Sequence, residues 1–266
     1  MRAIRHDNRV LHAMLRPGSG DQPGPAVAFS NSLGTDLRIW DRVISALPSD
    51  WHLLRYDTAG HGLSCGGGGM SIKDHGADLV ALMDAFDLDR AVIVGLSVGG
   101  LIAQSVALTR PERVGGLVLS NTAARIGTPD LWTQRIAAIA EGGMAAIADA
   151  TMERWFSARF RRECPDDLAL WRAMLAHTPA DGYTALAVAI RDADFRPHAS
   201  RITAPTLCIG ASDDAATPPD AVRALAGLIP GAVYQELSGP GHLPCIEAPE
   251  AMAGLIRAFI DSKVSA

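Results

Sequence analysis

Between Ala91 and Leu108 the chain runs 18 residues without a charge, and in its middle stands Gly95-Leu96-Ser97-Val98-Gly99. Ala91-Val92-Ile93-Val94 is β-branched and uniformly apolar, which suits a parallel strand buried on both faces. Leu101 to Leu108 continues as a buried helix. A serine on a sharp strand-to-helix turn needs very small neighbours two positions before and two after, and Gly95 and Gly99 meet that need. The stretch has about the minimum length of a membrane span, yet three glycines, two serines and a glutamine interrupt it. Burial inside protein accounts for its apolarity, so the reading is strand, elbow and helix with Ser97 as candidate nucleophile.

The pattern around this unit repeats. Val10 to Leu15, Ala26 to Ser30, His52 to Tyr56, Gly116 to Ser120, Thr206 to Gly210 and Ala232 to Leu237 read as strands. Helices are predicted over Asp36 to Leu47, from Ser71 with Asp74 as its capping-box partner, and over Pro219 to Leu228. A last helix carries Met252, Leu255, Ile256, Phe259 and Ile260 on one face. Such alternation predicts an α/β fold, a mostly parallel sheet with helices on both faces. From Ala123 to Ser200 the strand signal stops. Met144, Ile147, Met152, Trp155 and Phe156 mark one helix, Leu168 to Ala176 another and Tyr183 to Ile190 a third. The expected organisation is therefore a core over residues 1–122, an inserted helical cap over 123–201, and the rest of the core over 202–266.

With 266 residues, 48% of them hydrophobic and 20% charged, the chain can bury a large core, and disorder is excluded as the default. A net charge of −5 without a basic tract argues against a nucleic-acid partner. The polar start, Met1 to Arg9, lacks the apolar stretch of a secretory signal, so a cytosolic protein without membrane attachment is expected. Cys65, Cys164, Cys208 and Cys245 are scattered, which argues against a zinc site; Cys208 reads as a small buried hydrophobe.

A serine hydroxyl is a weak nucleophile near neutral pH and needs a base, which a third group must orient. For a serine on this elbow the expected chain order is serine, acid, histidine. Of eight histidines, only His242 follows the last strand, in the loop after Gly239-Pro240-Gly241. The acid should lie in Gly210 to Pro218, where both Asp213 and Asp214 qualify; a turn of this composition also suits a plain helix start. Oxyanion donors are expected from the backbone N–H of Val98 and from the loop Asn31-Ser32-Leu33-Gly34, with Leu33 N–H assigned by position.

With these residues assembled the chain resembles the α/β-hydrolase superfamily, and within it the 3-oxoadipate enol-lactonases. The likeness is carried by Asn31 to Asp36, Trp40, Arg55 to Thr58, Gly60-His61-Gly62 and Ser120 to Gly127, and it spans almost the whole chain. It implies an eight-stranded sheet, a structural role for His61, and Asp213 as the acid with Asp214 second. Two departures stand out: Ala59 occupies a place usually held by arginine, and the surroundings of His242 differ from the usual pattern. The resemblance further implies that a small anionic enol-lactone is opened to 3-oxoadipate in the β-ketoadipate branch of aromatic degradation, with no metal or organic cofactor. The carboxylate of that substrate should meet a cation, Arg125 first and Arg154 as the alternative, while Trp132 and Trp155 line the pocket. A carboxylesterase or a cofactor-free perhydrolase would share the triad, and a non-catalytic receptor would share the fold.

Overall fold

The computed structural model describes residues 1–20 and 24–264. Eight strands form one sheet: β1 (Arg2–His6), β2 (Arg9–Arg16), β3 (Ala26–Ser30), β4 (His52–Tyr56), β5 (Ala91–Leu96), β6 (Val114–Ser120), β7 (Thr206–Ala211) and β8 (Val233–Leu237). Their order is β1-β2-β4-β3-β5-β6-β7-β8, with β1, β2 and β4 joined antiparallel and every other pair parallel. The helices are α1 (Asp41–Ala46), α2 (Ile72–Ala85), α3 (Val98–Thr109), α4 (Pro129–Gly142), α5 (Ala145–Trp155), α6 (Ala158–Glu163), α7 (Pro165–Ala176), α8 (Ala180–Asp192), α9 (Pro219–Leu228), α10 (Pro244–Glu247) and α11 (Pro249–Lys263).

The central strands are apolar on both faces because both are covered. All residues of β5, β6 and β7 are buried, and α3 lies against β5 with almost every side chain buried too. On α2 the predicted capping box is present: Ser71 Oγ accepts from the N–H of Asp74, and the Asp74 carboxylate accepts from the N–H of Ser71. The predicted stripe on α11 faces the core, with Met252, Ile256, Phe259 and Ile260 all buried.

Three local readings change. The helix expected over Asp36 to Leu47 is split: Asp36 caps a 3₁₀ turn over Leu37–Trp40 before α1 begins. The first strand is new. Arg2–His6 pairs with β2 across a tight turn in which Asp7 has φ of 49°. Its largely exposed, charged side chains keep this sheet edge from pairing further, and they also hide the strand from a search for apolar alternation. Between β6 and β7 the chain contains α4, which the periodicity missed, along with α5 to α8. Among the described residues no helix is long and apolar enough to cross a membrane.

Candidate active site

Ser97 follows directly on β5 and caps α3, with φ of 58° and ψ of −117°. A non-glycine residue in that region is strained and must be held by its surroundings. Here Ser97 N–H donates to Ser120 O at 3.0 Å, and Thr122 Oγ1 donates to Ser97 O at 2.6 Å. The flanking glycines make the turn possible. A Cβ on Gly95 would lie 2.3 Å from Gly99 O, and one on Gly99 would lie 2.1 Å from Ser30 O. Elbow and β3 are in backbone contact, and no side chain fits between them.

The loop after β3 is held as firmly. Asn31 Nδ2 donates to Tyr56 O at 2.7 Å, and Trp40 Nε1 donates to Asn31 Oδ1 at 2.8 Å. Leu33 follows in this loop and lines the same cavity as Ser97. Val98 is the first residue of α3, so its N–H belongs to the set without a partner inside the helix.

His242 lies buried beyond β8, and its Nδ1 is 2.9 Å from Oδ2 of Asp214. The structure thereby corrects the choice of acid. Asp214 is buried, whereas Asp213 is exposed and bonded to Ser212 Oγ at 2.8 Å. The physical reason is the turn after β7: Asp214 N–H closes onto Ala211 O, which sends the Asp214 side chain inward. Asp214 Oδ1 accepts from the N–H groups of Ala216 and Thr217, and Oδ2 accepts from Asn121 Nδ2 at 2.8 Å and from Thr217 Oγ1 at 2.9 Å. Burial by itself would raise this carboxyl. The charge of a protonated His242 and the bonds from His242, Asn121 and Thr217 outweigh it and hold the carboxyl below its usual value. With an ionised carboxylate facing Nδ1, the N–H of His242 sits on Nδ1 and Nε2 is the basic nitrogen.

Ser97 and His242 line a small cavity of about 30 Å³ together with Leu33 and Thr217. Its other wall comes from helices α4, α5 and α8. Trp132 and Trp155 both line it, and the Trp132 indole is fixed by donation to Ile126 O at 2.7 Å. Of the two cations expected here, Arg154 reaches the cavity and Arg125 does not. Arg125 is paired with Asp194 at 3.4 Å. Arg135 also lines the cavity, lying 5.4 Å over the Trp132 ring, with Nη1 3.4 Å from Tyr183 Oη. Burial, then the neighbouring charge of Arg135, lowers the Arg154 guanidinium from its ordinary value. Among the described residues neither arginine makes an ion pair with a carboxylate.

Arg135, Asn121 and Thr217 escaped the sequence reading. Arg135 lies three residues after Trp132 on one helix face, a spacing that could have drawn attention to it. Nothing in the sequence pairs Asn121 with Asp214 across 93 positions. A wider cleft of about 750 Å³ lies elsewhere, between α7 and the segment Thr35 to Arg42, and Ser97 does not line it. Ser97, His242, Arg135 and Arg154 all line the small cavity, which is therefore the candidate site.

A family model for the α/β hydrolase fold matches residues 25–249. The chain is 34% identical over 243 residues to 3-oxoadipate enol-lactonase 2 of Acinetobacter baylyi, covering 91% of this chain and 90% of that protein. Among solved structures it is similar to the enol-lactonase of Burkholderia xenovorans LB400, with a TM-score of 0.92, 38% identity, and 96% and 98% of the two chains covered. It is also similar to a hydrolase of Pseudomonas aeruginosa, with a TM-score of 0.90, 34% identity and 97% of each chain covered.

Proposed function

Starting from the fact that the chain belongs to the α/β-hydrolase fold family, we propose that it is a serine hydrolase that opens 3-oxoadipate enol-lactone, or a lactone of the same carboxylated class, to the open-chain keto acid. The supporting observation is the convergence on one cavity of Ser97, the His242–Asp214 pair and two arginines without carboxylate partners. Names carried by similar proteins, 3-oxoadipate enol-lactonase and enol-lactonase, agree with that chemistry.

His242 Nε2 takes the proton of Ser97 Oγ as Oγ attacks the lactone carbonyl. The N–H groups of Leu33 and Val98 bind the oxyanion, while Asp214 stabilises the imidazolium. Collapse of the tetrahedral intermediate breaks the ring C–O bond. The His242 imidazolium gives its proton to the departing enolate, a better leaving group than an ordinary alkoxide, and the enol so formed ketonises. Neutral His242 next takes a proton from water, whose oxygen attacks the acyl-enzyme, and returns that proton to Ser97 Oγ as the acyl bond breaks. Arg135 and Arg154 hold the substrate carboxylate. Helices α4 to α8, within the stretch 123–201, act as a cap over this cavity, with α4, α5 and α8 lining it.

The test is loss of the enol-lactone ultraviolet absorbance on adding enzyme, with a neutral aryl ester as comparator. Wild type should prefer the lactone. Arg154→Ala and Arg135→Ala should each raise KM for the lactone about 10- to 100-fold, the worth of one charge-assisted hydrogen bond, and leave the aryl ester nearly unchanged. Arg125→Ala should behave as wild type. Preference of the wild type for the ester would replace the lactonase reading with that of an esterase.

A further inference from the structure

Glu247, the last residue of α10, sits between two segments far apart in the chain. Its Oε1 accepts from the N–H of Ser157 at 3.0 Å and from the N–H of Gly241 at 2.9 Å, and its Oε2 accepts from Ser157 Oγ at 2.5 Å. Ser157 Oγ in turn accepts from Phe160 N–H at 3.1 Å, which fixes the start of α6. Beside this carboxylate the N–H of His242 donates to Trp155 O at 2.8 Å. The two segments are also in steric contact: a Cβ on Gly241 would lie 2.7 Å from Trp155 O and 2.9 Å from Ser157 N. One segment carries the base His242. The other directly follows Arg154, a cation of the same cavity.

We propose that Glu247 is a positioning residue that fixes the anion-binding Arg154 and the base His242 at a set separation. The inference rests on the hydrolase reading of this site. A lactone with a carboxylate at one end and a carbonyl at the other must be gripped by Arg154 while Ser97 and His242 act on its ring. The distance between grip and base therefore decides whether attack is in line. A single carboxylate holding three donors from both segments sets that distance. A glutamine can keep the geometry, since its oxygen can accept the two N–H groups while its amide donates to Ser157 Oγ. An alanine leaves all three donors without their acceptor.

The test compares Glu247→Ala, Glu247→Gln and Ser157→Ala with wild type in two measurements. The first is the rate at which a fluorophosphonate labels Ser97, which reports on the base without any assumption about the substrate. The second is kcat and KM for the enol-lactone and for a neutral aryl ester. Glu247→Ala should label about 10- to 100-fold more slowly, the cost of a displacement of about 1 Å, with kcat rather than KM carrying the loss. Glu247→Gln should stay within about threefold of wild type, and Ser157→Ala should fall between. The lactone should lose more than the aryl ester, because only the lactone engages Arg154. Equal losses on both substrates, wild-type labelling in Ser157→Ala, or a Glu247→Gln variant as slow as Glu247→Ala would each overturn the proposal. If Glu247→Ala does not fold, the glutamine and Ser157 variants decide. Absence of labelling in the wild type would overturn the hydrolase reading and the positioning role with it, whereas labelling without lactone turnover would overturn only the substrate.

Discussion

Asp213 and Asp214 are adjacent and chemically identical, yet only Asp214 meets His242. The Asp214 carboxylate is buried and accepts hydrogen bonds at both oxygens, while Asp213 bonds to Ser212 at the surface. Asp214→Asn should therefore reduce kcat about 10⁴-fold, because an amide cannot stabilise the imidazolium or keep the proton on Nδ1. Asp213→Asn should leave kcat within about twofold, as expected of a surface change. Steady-state kinetics of the two variants against a common substrate checks both. The sequence narrows the acid to this pair and stops there. Which of two neighbours points inward depends on the turn closed by Asp214 N–H on Ala211 O and on the distant donor Asn121, and neither leaves a local signature. The arginines repeat the lesson. Composition supplies many candidates, but only packing distinguishes Arg125, neutralised by Asp194, from Arg135 and Arg154 at the cavity.

The elbow is the element most legible in the sequence, because its chemistry demands particular residue types at fixed spacing. β5, Ser97 and α3 stand where the apolar run and the glycines place them. The demand is measurable. In Gly99→Ala the new methyl group would lie 2.1 Å from the backbone oxygen of Ser30, an atom that cannot swing aside. The substitution should cost about 3 kcal/mol in urea unfolding and distort Ser97. Gly68→Ala, with nothing within 4 Å, should be close to neutral in the same experiment. Elements governed by other forces were less legible. β1 is charged and mostly exposed, and the segment Leu37–Trp40 tightens into a 3₁₀ turn because the Asp36 carboxylate caps it at Arg38 N–H.

Across the whole molecule, acid should loosen the fold before it reaches the triad carboxylate. His61 and His75 are deeply buried; burial drives each down to about 4, and among the described residues Nε2 of His61 and both ring nitrogens of His75 are without hydrogen-bond partners. Free histidine titrates near 6.5. Between those values the unfolded chain binds protons that the folded chain refuses, so stability falls as pH drops from about 6.5 to about 4 and is unaffected by these groups above that window. Asp214, held below the ordinary carboxylate value, extends the loss to still lower pH. Urea midpoints taken at pH 7, 6, 5 and 4 should decline in step, and His75→Leu, if folded, should flatten the slope. A constant midpoint over that range would show that these histidines titrate normally.

The bonds from Ser157 and Gly241 to Glu247, and from His242 to Trp155, cross the border between the helices that follow β6 and the strand-borne machinery around His242. In the proposed reading these helices are a cap, and a new roof over the proposed nucleophile is a short route to a new ligand. In this lineage that freedom has a boundary. A transplanted roof that lacks a hydroxyl donor opposite position 247 arrives unanchored. Drift at 157 is thus expected to be answered at 247, and the two positions should pass through descendants as one heritable unit although 90 residues separate them.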